Sequence, residues 1–202
     1  MRHRTVGLSF LMVLVAGGLL LGCGDEEVMS AGGQPTPSPT VREDENLFGS
    51  TGAGSGALTI DALPAVEVFF STCLGGVGES CSGGTAVYIG GEPGFKEAEA
   101  DEPNFPLYRL VEGTPLRLEV VAIDPAISLK VDDVTLSAPG QSVAIGTTPG
   151  IHQDLEWQLA VPPGGNPAGH SVSVKLTTTS GRYSESAVYA FELEPSADAP
   201  PE

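Results

Sequence analysis

The chain has 202 residues, with 26 Asp and Glu against 9 Lys and Arg, for a formal net charge of −17. Acidity of this degree repels the phosphate backbone, which excludes nucleic acid as a partner, and it keeps the chain off anionic lipid surfaces except through an anchor. The length suits one domain with a buried core plus terminal extensions.

The N-terminus reads Met1-Arg2-His3-Arg4, a short basic head, and an apolar run follows over residues 6–21. A bilayer span takes about 20 apolar residues, so the run is too short for a comfortable crossing. Basic head, short apolar core and small residue at the cut make a secretory signal. The core ends Leu20-Leu21-Gly22-Cys23, which resembles the bacterial lipobox. That resemblance implies cleavage after Gly22, a diacylglyceryl group on the Cys23 thiol and an acylated amine. One acyl chain holds only marginally, at ~0.8 kcal/mol per buried methylene, and two or more hold firmly. Residues 1–22 are therefore expected to be a lipoprotein signal peptide, and the protein an exported one anchored in the cell envelope. Gly24 follows the cysteine, where an Asp marks inner-membrane retention in enteric bacteria. The outer membrane is thus favoured for a host with two membranes.

Residues 23–56 read as a disordered tether. They hold Gln34-Pro35-Thr36-Pro37-Ser38-Pro39-Thr40, which favours extended polyproline-like chain, and end in a Gly/Ser run over residues 49–56. Residues 57–195 form one domain whose apolar pattern has period two. Leu116, Leu118 and Val120 alternate with Arg117 and Glu119, and Leu155, Trp157, Leu159 and Val161 alternate with Glu156 and Gln158. Val172, Val174 and Leu176, then Tyr189, Phe191 and Leu193, do the same. Further strands are predicted at 65–71, 85–89, 107–111, 127–131, 134–137 and 142–145, separated by Gly/Pro turns such as Pro162-Pro163-Gly164-Gly165. The last two strands, on either side of Ser180-Gly181-Arg182-Tyr183, are expected to be neighbours. The predicted fold is an all-β, antiparallel, immunoglobulin-like sandwich, with residues 196–202 as a disordered tail.

Three cysteines divide simply. Cys23 takes lipid, and Cys73 and Cys81 pair as a disulfide in an oxidising compartment. The competing two-thiol metal site lacks a nearby histidine and C-x-x-C spacing. Catalysis finds little support. Gly78-Glu79-Ser80-Cys81-Ser82 misses the nucleophile-elbow pattern at its last position. Past the signal only His152 and His170 could serve a triad, and nothing near either has the look of an activated nucleophile. All three methionines precede the domain, which argues against blue copper, and no haem-attachment motif is present. A non-enzymatic role follows.

Two binding chemistries stay open. On one strand, His152, Asp154 and Glu156 would share a face, and His170 brought near by folding would complete a zinc (Zn2+) site. A solvated outer face explains the same pattern. Glu97, Glu99, Asp101 and Glu102 read as a solvated acidic loop rather than a calcium loop. Trp157 is expected in the core, and Tyr88, Tyr108 and Tyr183 could stack on a sugar. An envelope protein or a glycan is the corresponding partner.

The later half also resembles a loose group of bacterial surface-anchored β-domain proteins, some linked to zinc limitation. The matching pieces are Gly113-Thr114-Pro115-Leu116, Leu136-Ser137-Ala138-Pro139-Gly140, His152 upstream of Trp157, and Leu176-Thr177-Thr178 with Tyr183-Ser184-Glu185-Ser186. The resemblance implies a β-domain in a cell-surface setting. The group often carries two or three histidines before the tryptophan, and here His152 is followed by Gln153 and Asp154.

Overall fold

The computed structural model describes residues 45–62, 65–76, 81–102 and 104–196. The expected signal peptide, Cys23, the Pro-rich stretch and the tail from 197 onward lie outside the described residues. Fourteen strands and no helix run through those residues: β1 (Glu45–Gly52), β2 (Ser55–Asp61), β3 (Ala65–Leu74), β4 (Thr85–Gly90), β5 (Gly94–Glu97), β6 (Pro115–Ile123), β7 (Ile127–Val131), β8 (Val134–Leu136), β9 (Ser142–Thr147), β10 (His152–Gln153), β11 (Glu156–Val161), β12 (His170–Thr177), β13 (Tyr183–Ser184) and β14 (Tyr189–Ser196).

Alternation builds the core. Residues two apart share a face of a strand, and the apolar series of β6, β11, β12 and β14 is buried at Leu118, Trp157, Val174 and Phe191. Burying each such side chain contributes ~1.5–3 kcal/mol. The larger sheet runs β8-β7-β11-β4-β3-β14-β12-β6-β9. It curls until its edge strands β8 and β9 approach one another, so the apolar faces surround one core in a nearly closed barrel.

The smaller sheet, β10-β5-β1-β2-β13, sends Phe48, Leu58, Ile60 and Phe95 into that same core. Phe95 meets Phe191 edge-on with ring centroids 6.3 Å apart, and Phe191 meets Trp157 at 5.4 Å. The Trp157 indole N–H donates to the Pro93 carbonyl at 3.3 Å. Tyr189 ties the sheets together, its hydroxyl accepting from the Ile60 N–H and lying 3.1 Å from Thr59 Oγ1. Cys73 and Cys81 form the expected disulfide, and closing so short a loop contributes about 2–3 kcal/mol.

The chain adopts the expected all-β, sandwich-like architecture, but the expected uniform antiparallel pairing is corrected. β1 with β5, β2 with β13 and β3 with β14 are parallel. Period-two patterning fixes which face a residue takes and carries no information on strand direction. The neighbouring of the last two long strands holds, since β12 pairs with β14. The strand expected at 107–111 is instead part of an irregular strap, held by bridges from Tyr108 to Ser50 and from Leu107 to Glu102.

The domain boundary also moves. Residues 45–56, read as tether, form β1 and the start of β2, and Phe48 is fully buried. Their glycines resemble a linker in composition but serve close packing: a Cβ on Gly49 would stand 2.5 Å from the Tyr108 carbonyl oxygen. A chain starting at residue 57 would lose Phe48, worth about 3–5 kcal/mol by itself. It should show no cooperative melt by circular dichroism or Trp157 fluorescence, whereas a chain starting at Val41 should melt like the full protein.

Candidate functional site

A cleft of about 550 Å³ lies where the two sheets meet. Its walls come from the start of β1 (Glu45), the turn between β4 and β5 (Gly91, Glu92), the end of β7 and the turn after it (Lys130, Asp132), and the segment from His152 to Glu156. That segment makes the junction. β10 pairs with β5 in the smaller sheet, with His152 opposite Lys96, and β11 pairs with β4 and β7 in the larger one. Between them Leu155 is buried and anchors the crossing. Gly94 must be small at this point, because a Cβ there would lie 2.8 Å from the Gln153 carbonyl oxygen.

Five carboxylates line the cleft, from Glu45, Glu92, Asp132, Asp154 and Glu156, against the single lysine Lys130 and His152. Several are engaged. Glu45 contacts His152 Nε2 through one oxygen and lies 3.6 Å from Lys96 Nζ through the other. Asp132 accepts from Gln153 Nε2 at 3.3 Å, and Glu156 is 3.8 Å from Lys130 Nζ. Asp154 is 3.7 Å from His152 Nε2, and its side chain is 93% exposed. The arrangement presents a concavity with an excess of acidic side chains, suited to cationic groups.

The expected zinc set is only partly brought together. His152, Asp154 and Glu156 do line the same cleft, but not on the single strand expected: His152 lies in β10, Glu156 in β11 of the other sheet and Asp154 between the strands, and Glu156 turns to Lys130. His170 stands apart at the start of β12, with Nε2 2.9 Å from the Asn166 carbonyl and Nδ1 3.2 Å from Asp124. Among the described residues, no group of three His, Cys, Asp or Glu is placed to hold a metal ion. Two of the three tyrosines named for stacking are engaged in packing. Tyr183 is buried with its hydroxyl accepting from the Val111 N–H, and Tyr88 packs against the core beside Phe70.

Sequence reasoning missed Glu45, Glu92 and Lys130 as cleft residues and misplaced Glu97. Glu45 lay inside the supposed tether. Glu97, read as solvated, is only 5% exposed. Two cues were available: Asn46-Leu47-Phe48 is apolar for a linker, and Phe95 and Glu97 share a strand parity.

Asp124 is a further structural carboxylate. It caps the turn between β6 and β7, accepting from the Ala126 N–H at 2.8 Å. That N–H, opposed by partial burial and reinforced by the neighbouring His170 ring, holds the carboxyl below the usual Asp value of 3.8. A carboxyl depressed in the folded state adds stability above its unfolded value, and that stability is lost as pH falls through the folded one. Asp124→Asn should therefore destabilise the protein at neutral pH and lessen its further loss of stability below about pH 4, as read by urea melts across pH. Compared with protein-family profiles, curated proteins and solved structures, the chain matches none.

Proposed function

We propose that this protein is an exported, lipid-anchored binding module of the cell envelope, with no enzymatic activity, whose cleft takes a cationic ligand. The observation that carries the reading is the cleft's lining of five carboxylates against one lysine and one histidine. A ligand bearing two or more ammonium or guanidinium groups would meet Asp154 and Glu92 from solvent and displace weakly held intramolecular partners. Such contacts are individually modest in water and weaken with salt. The anchor rests on the lipobox-like Leu20-Leu21-Gly22-Cys23, which would hold the domain at a membrane, the outer one where two are present.

Calorimetry on the full chain with spermidine as the probe tests the cleft. Binding in the micromolar to low millimolar range (order-of-magnitude) is expected, weakened about five- to tenfold in an Asp154→Asn, Glu92→Gln double variant and by added salt. No heat with spermidine up to millimolar levels would remove the cationic reading. Tight zinc binding lost in His152→Ala would favour a metal carrier instead. Cys23→Ser tests the anchor separately: it should move the protein from the membrane fraction to the soluble one, and retention in the membrane would contradict lipidation.

A further inference from the structure

From the buried carboxylate of Glu97, we infer that this residue is a positioning residue for the cleft: it never enters the cleft, yet it holds in place the wall that carries His152. The inference rests on the cleft reading above for its functional meaning and on geometry for the rest.

β10 is two residues long, His152 and Gln153, and among the described residues pairs only with β5. So short a ladder cannot fix its own position. The chain enters β10 from the turn Thr148-Pro149-Gly150-Ile151, and two buried groups grip that turn. Thr148 Oγ1 accepts from the Thr114 N–H at 3.0 Å and donates to the Val111 carbonyl at 2.7 Å. Glu97 Oε2 accepts from the Gly150 N–H at 2.7 Å and lies 3.4 Å from the Ile151 nitrogen. The Glu97 backbone N–H also donates to the Ile151 carbonyl at 2.9 Å. A single residue thus grips the turn through its side chain and its main chain, one position before His152.

The location makes the grip strong. Glu97 is only 5% exposed, and low local dielectric strengthens a buried hydrogen bond. The other oxygen, Oε1, is buried and makes no hydrogen bond among the described residues. Glu97 therefore bears a desolvation cost that a residue needed only to fill space would not require. Lys96, the preceding residue, faces the other way and is opposite His152. β5 thus supports the wall from both faces, with Lys96 near Glu45 at the surface and Glu97 on the turn beneath.

Hydrogen exchange on the full chain, with Glu97→Ala and Glu97→Gln, tests this. In Glu97→Ala the amides of Gly150, Ile151 and the β10–β5 pairing should exchange on the order of tenfold faster or more, with β11 and β12 still protected. Glu97→Gln keeps an oxygen acceptor for Gly150 and should restore most of the protection. Spermidine binding should weaken in Glu97→Ala and recover in Glu97→Gln. Unchanged exchange at 150–153 in the alanine variant would overturn the inference. So would loss of protection spread evenly through the barrel in both variants. If local exchange rises as expected but the native protein does not bind spermidine, the clamp stands and the cationic reading of the cleft falls.

Discussion

The contact of Phe95 with Phe191, and of Phe191 with Trp157, is the interaction on which the rest of the structure depends. These rings come from β5, β14 and β11, so one aromatic stack joins the smaller sheet to the core of the larger. The nine-stranded sheet curls around the core without filling it, because four large apolar side chains of that core, Phe48, Leu58, Ile60 and Phe95, belong to the other sheet. Neither sheet can bury its apolar face alone, and packing them is the only way to take those rings out of water.

The cleft follows from this joining. Where the chain leaves one sheet and enters the other, at Asp154 and Leu155, the strands diverge and leave a concavity. Polar side chains collect at such a seam because the apolar parity of each strand is spent on the core. The same chain crossing that carries Trp157 inward carries His152, Asp154 and Glu156 to the opposite side. Core and cleft are therefore two faces of one segment, and the supports beneath it, Glu97 and Leu155, serve both.

Much of the larger sheet was legible in the sequence. Nine strands with clean alternation, or with turns on both sides, announce themselves, and Trp157, Phe191 and Leu118 fall in the core where parity places them. The smaller sheet was not legible for physical reasons. β1 and β2 are built from Gly, Ser and Thr around a few apolar residues, a composition shared with linkers, although Gly49 is there for close backbone approach at Tyr108. β10 and β13 are two residues each, too short for any period to show. Parallel pairing depends on long-range topology, which local pattern does not encode. For the cleft, the alternation of His152, Asp154 and Glu156 was readable, and the contribution of Glu45 was not, because it comes from a strand over a hundred residues earlier.

The most direct test of the account is a double-mutant cycle between the two sheets, with Phe95→Leu, Phe191→Leu and the combination, measured by urea unfolding. The account predicts a coupling of about 0.5–1.5 kcal/mol, the range for an edge-to-face aromatic pair, together with a single cooperative transition in every variant. Additivity within about 0.3–0.5 kcal/mol, or a separate early transition for the smaller sheet, would contradict the claim that the two sheets share one core.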